Sequence, residues 1–135
     1  MTSFVLDASI TTSWLLEDEQ DTRSLSALES VERSGATAPQ HWRFEVANSL
    51  LLAERRGRLK PGRARLRLHS LHELPIDIDG TPDLDATFAL AFEHGLTYYD
   101  ALYLELAIRR ELPLATLDND LESAAGASGV EVYSG

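Results

Sequence analysis

The chain has 135 residues, contains no cysteine and carries a formal net charge of −10. The lack of cysteine excludes disulfide frameworks, zinc–thiolate sites and thiol nucleophiles. Apolar residues make up 44% and charged residues 25% of the chain, as in ordinary globular domains, so fibrous and disordered classes are excluded as well. We therefore expect one domain over residues 1–135. No apolar run approaches the roughly 20 residues that span a bilayer, and no basic segment precedes the first apolar stretch. A cytoplasmic location is expected.

In chain order, the apolar and turn patterns first predict a strand at 4–6, a helix through Leu16, a helix ending at Gly35 and a strand at 36–38. They then predict a helix over 40–56, a helix from Pro61 to Leu71 and an edge strand at 74–78. The last part of the chain is predicted to form helices over 82–94 and 97–110, a strand at 112–117, a short helix and a strand at 130–133. Phe44, Ala47 and Leu51 give the helix over 40–56 one apolar face, and Pro61 is placed in the first turn of the next helix. Strands that alternate with helices predict an α/β fold, with a mostly parallel sheet of about five strands and helices on both faces.

The positive charge is concentrated in one short segment. Residues 55–67 hold seven of the twelve lysine and arginine side chains and no acid. We call this the basic segment. It is either the solvated face of a helix pair or a contact for phosphates or a partner. The candidate contact residues are Arg55, Arg56, Arg58, Lys60 and Arg63.

Two acids follow predicted strands directly: Asp7 follows the first, and Asp118 follows the strand at 112–117. In an open parallel sheet, ligands bind beyond the carboxyl ends of the strands, where the strand order reverses. Glu45 lies in the first turns of its helix, and Asp100 follows Thr97 by three residues. Each of these acids, taken alone, is a weak signal, because it is also explained by a helix cap or by a favourable interaction with the helix dipole, most readily for Glu45.

Acids that converge without lysine, cysteine or histidine predict a site for a hard divalent cation such as Mg²⁺, which binds oxygen ligands. Ionised carboxylates repel one another, so such a cluster needs a cation or shared protons. Phosphate-binding glycine loops, an H-E-x-x-H motif and a G-x-S-x-G elbow are all absent. His69 and His72 are interpreted as solvated helix residues, and His41 and His94 have no partner at metal-ligand spacing.

Four segments, in this order, resemble the PIN-domain family and in particular its VapC-type toxin ribonucleases: Phe4-Val5-Leu6-Asp7-Ala8-Ser9, Trp42-Arg43-Phe44-Glu45-Val46-Ala47-Asn48, Leu96-Thr97-Tyr98-Tyr99-Asp100-Ala101-Leu102-Tyr103 and Leu114-Ala115-Thr116-Leu117-Asp118. The resemblance implies an α/β/α sandwich and an endoribonuclease that uses Mg²⁺ or Mn²⁺ to activate a water. It also implies a homodimer that is inhibited by a small antitoxin.

The resemblance also assigns roles to particular residues. It implies that the catalytic, metal-binding acids are Asp7, Glu45, Asp100 and Asp118. Ser9 and Thr116 match supporting hydroxyl residues, and Asp120 is an alternative to Asp118 as the fourth acid. The basic segment would then contact either the RNA backbone or the antitoxin. A second interpretation is that the protein is a catalytically silent binding module, in which the acids serve as helix caps.

Overall fold

The computed structural model describes residues 3–16 and 21–135. Its strands are β1 (Val5–Leu6), β2 (Ala36–Pro39), β3 (Ile76–Asp79) and β4 (Leu114–Ala115). Its α-helices are α1 (Ala8–Leu15), α2 (Thr22–Ser34), α3 (Trp42–Arg55), α4 (Arg63–Ser70), α5 (Leu84–His94), α6 (Tyr98–Arg110) and α7 (Asn119–Ala127). A 3₁₀ turn at Leu71–Glu73 follows α4. No helix among these is long and apolar enough to serve as a membrane span.

The strands form one parallel sheet in the order β3-β2-β1-β4, which confirms the predicted α/β class. Helix α6 packs on β1, β2 and β4, while α1 packs on α2 and α3. Val5 of β1 pairs with Leu114 of β4, and Leu6 pairs with Ala115. The strand order reverses between β1 and β4, so the residues that follow these two strands meet at the edge where parallel sheets bind ligands.

Within residues 3–16 and 21–135, the sheet has four strands rather than about five. The predicted strand at 130–133 makes one bridge, between Leu114 and Val132. Leu114 donates to the Glu131 carbonyl and Tyr133 donates to the Leu114 carbonyl, both at 2.9 Å. Strand β4 is also shorter than predicted. Pro113 has no N–H to donate to a ladder, which limits the strand at its start.

Gly35 sets the turn from α2 into β2. Its φ is 76°, and its N–H donates to the Val31 carbonyl at 2.7 Å, which ends the helix where the sequence predicts. A Cβ at this position would lie 2.7 Å from the Pro75 carbonyl oxygen. Only glycine lets the chain pass so close to the segment before β3, so this turn fixes how β2 and β3 begin side by side.

Helix α3 buries a different face from the predicted one. Trp42, Val46 and Leu50 are buried, whereas Phe44 is 67% and Leu51 is 44% exposed. The helix has apolar residues on two faces, and periodicity alone does not say which of them packs against the neighbouring helices α1 and α4. The second face is therefore left at the surface.

Pro61 precedes α4 instead of lying in its first turn. Gly62 takes the position before the helix with φ 86°, and the Glu54 carboxylate accepts the Ala64 N–H at 3.0 Å. Helix α4 buries none of its residues. It leaves an open groove of about 620 Å³ against α3, lined by apolar side chains such as Leu51 and Leu68.

An ion-pair network ties the edge strand β3 to α6. Arg109 donates to both carboxylate oxygens of Asp79, at 2.6 and 3.1 Å, and to Glu105 at 2.7 Å. Arg110 donates to Asp79 at 2.9 Å. The side chains of Asp79 and Glu105 are only 3% and 4% exposed. The guanidinium groups of Arg109 and Arg110 hold the pKa of Asp79 below its usual value despite this burial.

Candidate functional site

Asp7 follows β1 and is held by two hydroxyl groups. It occupies the position before α1, but its side chain makes no cap to that helix. Ser9 Oγ and Thr116 Oγ1 both donate to the same oxygen, Asp7 Oδ2, each at 2.6 Å. Both hydroxyls thus hold the carboxylate through Oδ2, and neither of them donates to Oδ1. The Asp7 side chain therefore does not cap α1, contrary to the interpretation of Asp7 as a helix cap.

The same hydroxyls tie the end of β4 to the end of β1. Thr116 Oγ1 accepts the Asp118 N–H at 3.0 Å, and Ser9 Oγ accepts the Leu117 N–H at 2.9 Å. Asp118 in turn caps α7, because its Oδ1 accepts the Leu121 N–H at 3.0 Å. Asp118 is therefore a helix cap, and its backbone is fixed beside Asp7.

Glu45 lies in the first turn of α3, and its carboxylate is held by a buried tyrosine. The Tyr103 hydroxyl donates to Glu45 Oε1 at 2.6 Å, and His41 Nε2 lies 3.2 Å from the same oxygen. Burial alone would raise the pKa of Glu45, but the neighbouring His41 and Tyr103 outweigh it and hold that pKa below its usual value. Burial raises the pKa of Tyr103 above its usual range, so its hydroxyl stays protonated and donates.

Asp100 lies in the first turn of α6, where Thr97 caps the helix. The Thr97 hydroxyl accepts the Asp100 N–H at 3.1 Å. This cap uses the backbone of Asp100, so its carboxylate is not required for it. Burial raises the pKa of Asp100, and the charges of Asp118 and Glu45 raise it further.

Asp7, Glu45, Asp100 and Asp118, which we call the acidic cluster, influence one another electrostatically. Burial, together with the charges of Glu45 and Asp100, raises the pKa of Asp7 to about 6. Over residues 3–16 and 21–135, no three acidic or histidine side chains approach closely enough to hold a metal ion. The cluster is therefore close enough for its charges to raise the pKa values of Asp7 and Asp100, but it does not form a closed coordination shell. Its all-oxygen donors are of the type that Mg²⁺ and Mn²⁺ bind.

The other predicted residues are placed as follows. Ser9 and Thr116 contact Asp7 directly. Asp120 is exposed on α7, whereas Asp118 is half-buried and acts on the pKa of Asp100. This difference favours Asp118 as the fourth acid. Arg55, Arg56, Arg58, Lys60 and Arg63 are all exposed.

Two residues at this site were missed by the sequence analysis. His41 and Tyr103 both contact Glu45, and their rings lie 4.8 Å apart. A weak signal was available, because His41 precedes Glu45 by four residues and Tyr103 follows Asp100 by three, both spacings that share a helix face. His41 and Glu45 both lie in the helix predicted over 40–56, so this spacing could have pointed to the pair.

Comparison with known proteins identifies the family. Residues 4–127 match the PIN domain family. A stretch of 81 residues is 40% identical to Ribonuclease VapC3 of Pyrobaculum aerophilum and covers 58% of this chain and 62% of that protein. The match therefore spans less than two thirds of that relative's length.

Solved structures with low sequence identity share the fold. PAE2754 from Pyrobaculum aerophilum superposes with a TM-score of 0.73 at 23% identity, over 91% of this chain and 84% of its own. FitAcB from Neisseria gonorrhoeae gives 0.64 at 21% identity, over 96% of both chains. VapC20 from Mycobacterium tuberculosis, described as a toxin that cleaves the sarcin–ricin loop, gives 0.59 at 15% identity, over 90% of this chain and 95% of its own.

The chain belongs to the PIN domain family, because the family match covers almost all of it. The predicted resemblance to VapC-type ribonucleases is confirmed by the identity to Ribonuclease VapC3. The four segments that carried the resemblance lie in or beside β1, α3, α6 and β4, the elements that bring the acidic cluster together.

The substitution Asp100→Asn should show whether the Asp100 carboxylate binds a cation or stabilises the start of α6. The Thr97 cap survives this change, and repulsion from Asp118 and Glu45 falls. We therefore expect the free energy of unfolding in EDTA to be unchanged or higher by up to about 1 kcal/mol. Added Mg²⁺ should raise the melting temperature of wild type more than that of the variant, because binding stabilises the folded state by mass action.

Thermal unfolding of both proteins in EDTA and in Mg²⁺ provides the measurement, with Asp120→Asn as the matched control. A variant that is less stable than wild type in EDTA, yet gains as much from Mg²⁺, would place Asp100 outside the site.

Proposed function

We propose that this protein is a divalent-metal-dependent endoribonuclease that acts in the cytoplasm as the toxin of a toxin–antitoxin pair. The observation that carries the proposal is the acidic cluster, with Asp7 fixed through one oxygen by two hydroxyls. Support also comes from the family match and from the similarity to a protein named as a VapC ribonuclease. The silent binding module is disfavoured, because Asp7 and Glu45 are held by networks that a helix cap does not need.

The roles of the residues follow from their surroundings. Asp7, Asp100 and Asp118 would hold the cation, Mg²⁺ or Mn²⁺. When bound, such a cation stabilises negative charge on a phosphoryl oxygen and lowers the pKa of water. Glu45, whose pKa is held low, is ionised at neutral pH and would orient the attacking water as a hydrogen-bond acceptor, although its low pKa makes it a weaker base. Tyr103 fixes the direction of the Glu45 carboxylate.

RNA cleavage with and without metal tests this proposal. The purified protein, incubated with total RNA, should cut it in Mg²⁺ or Mn²⁺ and leave 5′-phosphate ends. Cleavage should stop in EDTA and return when the metal is restored in excess. Undiminished cleavage in EDTA, by a preparation whose Asp7→Asn counterpart is inactive, would contradict metal dependence. No cleavage of any RNA in either metal would contradict the ribonuclease itself.

The proposed partners are a small antitoxin and a second copy of the chain. The groove between α3 and α4 is apolar and lies beside the basic segment, so it is suited to an acidic amphipathic segment of an antitoxin. Helix α5 exposes Leu84, Phe88 and Phe92 by 60%, 65% and 85%. These residues are spaced by four and form an apolar stripe of the kind that marks protein interfaces, which supports a homodimer.

The basic segment lies away from the acidic cluster. Glu45 is near the start of α3 and Arg55 at its end, so they are about 15 Å apart along the helix. Replacing Arg55, Arg56 and Arg58 by alanine should weaken binding to RNA or antitoxin without loss of the fold. If RNA phosphates are the contact, the slope of log Kd against log salt should fall by about 2.

Binding across a salt series, with exposed Arg33→Ala as control, provides the measurement. Unchanged binding of the triple variant to both partners would assign these arginines to solvated surface.

A further inference from the structure

His41 is a largely buried histidine beside the acidic cluster. Its side chain is 13% exposed, and within residues 3–16 and 21–135 neither Nδ1 nor Nε2 makes a hydrogen bond. Nε2 lies 3.2 Å from Glu45 Oε1, but the two groups are not aligned as donor and acceptor. Buried polar atoms in folded proteins nearly always have a partner. A partner that the chain itself does not supply is therefore expected at this ring.

The imidazole of His41 is held in place and lies within electrostatic reach of two members of the acidic cluster. Its ring contacts that of Tyr103 at 4.8 Å and that of Tyr99 at 5.7 Å, which restricts its orientation. Burial raises the pKa of both Glu45 and Asp100, and His41 acts to lower both. The site therefore includes a histidine, which the sequence analysis did not expect.

The separation of His41 and Glu45 suits two neighbouring ligands of one cation. In an octahedral shell with bonds of about 2.1 Å, adjacent ligand atoms lie about 3 Å apart. The distance from Nε2 to Oε1 is 3.2 Å, and the poor alignment of the pair as a hydrogen bond fits two atoms that both face a third. Tyr103 also donates to Oε1, so Oε2 is the atom of Glu45 that is left to orient the attacking water.

We propose that His41 Nε2 is a nitrogen ligand of the cation at the acidic cluster, so that the site selects a transition-metal ion such as Mn²⁺ over Mg²⁺. Mg²⁺ is bound through oxygen, whereas first-row transition ions also accept imidazole nitrogen. Carboxylates of the cluster and water complete the shell. The inference rests on the proposed metal-dependent function and specifies the ion that the site selects.

Electron spin echo envelope modulation of the untagged, Mn²⁺-loaded protein tests the proposal without requiring catalysis. An imidazole nitrogen bound to Mn²⁺ couples to its electron spin and gives a ¹⁴N modulation, which changes when histidine alone is labelled with ¹⁵N. Wild type should show this signal. His41→Gln should lose it, because glutamine offers the cation an oxygen instead of a nitrogen.

Competition between the two metals gives a second measurement. Mg²⁺ is titrated into the Mn²⁺-loaded protein, and electron paramagnetic resonance follows the Mn²⁺ that is released. Loss of an outer partner of a metal site already lowers affinity by about 10–100-fold, so loss of a ligand should weaken Mn²⁺ binding by roughly tenfold or more. His41→Gln should therefore lower the preference for Mn²⁺, with much less change in the affinity for Mg²⁺.

His94→Gln is the matched control, because the His94 side chain is 15% exposed and contacts Ser128 beyond α7. It should keep both the nitrogen signal and the preference for Mn²⁺. The proposal is overturned if wild type binds no Mn²⁺, if its Mn²⁺ complex lacks the imidazole signal, or if His41→Gln retains that signal. Equal weakening of both metals by His41→Gln would also overturn it, since that result indicates a change in fold.

Cleavage of total RNA distinguishes this failure from failure of the proposed function. Mn²⁺ bound without a nitrogen signal, together with cleavage that stops in EDTA, removes His41 from the site and leaves the ribonuclease standing. A nitrogen signal that His41→Gln abolishes, without cleavage of any RNA in Mn²⁺, leaves the metal ligand on a protein that is not a ribonuclease.

Discussion

Asp7→Asn should lower the rate of RNA cleavage by roughly 10²–10³-fold, because a bound cation contributes several kcal/mol of transition-state charge stabilisation. Asparagine retains the shape of the side chain and still accepts hydrogen bonds from Ser9 and Thr116. It removes the negative charge that the cation would need.

The loss should not come from unfolding. Asp7 is buried beside Glu45 and Asp100, so removing its charge in EDTA relieves repulsion. We expect the variant to be at least as stable as wild type at neutral pH. Single-turnover cleavage in Mg²⁺, together with urea unfolding in EDTA, provides the measurement, and Asp120→Asn serves as the exposed acidic control. Cleavage by Asp7→Asn within twofold of wild type would exclude Asp7 from the chemistry.

Arg109→Met should lower the free energy of unfolding by about 2–3 kcal/mol. Breaking a fully buried ion pair costs about 3–5 kcal/mol, because the remaining charge is left buried without a partner. The expected loss is smaller here, since Arg109 is 30% exposed and Arg110 still contacts Asp79. Methionine keeps much of the apolar stem, so the change reports the loss of charge and hydrogen bonds rather than of packing.

Arg110→Met is the matched control for this prediction. Its other partner, Asp77, is 66% exposed, and Asp79 keeps its two hydrogen bonds from Arg109. The expected cost is at most about 1 kcal/mol. Urea unfolding of both variants provides the measurement. Equal, small losses would mean that the network does not hold β3 to α6 in solution.

The elements of this fold could be predicted because their signals are local. Gly35 ends α2 and Thr97 begins α6 through contacts within one turn of the chain. The position of Asp7 and Asp118 at strand ends was also readable, because parallel strands place their carboxyl ends at one edge. These two kinds of signal were enough to anticipate the α/β class and the edge at which the acids would meet.

The rest depends on contacts between distant parts of the chain. Tyr103 meets Glu45 across 58 residues, and Arg109 meets Asp79 across 30. In each of these two pairs, the residues next to one partner in the sequence do not indicate which distant residue it contacts. The buried face of α3 was mispredicted for a related reason, since Leu50 and Leu51 are equally apolar and only the packing of α3 against α1 and α4 decides between them.

The acidic cluster is proposed to form one cation site, and Mn²⁺ binding tests this directly. Electron paramagnetic resonance of Mn²⁺ titrated with protein should show that wild type removes free Mn²⁺ from solution. Asp7→Asn and Asp100→Asn should each lose this binding, while Asp120→Asn should retain it. Undiminished binding by both of the first two variants, or no binding by wild type at millimolar Mn²⁺, would contradict the claim.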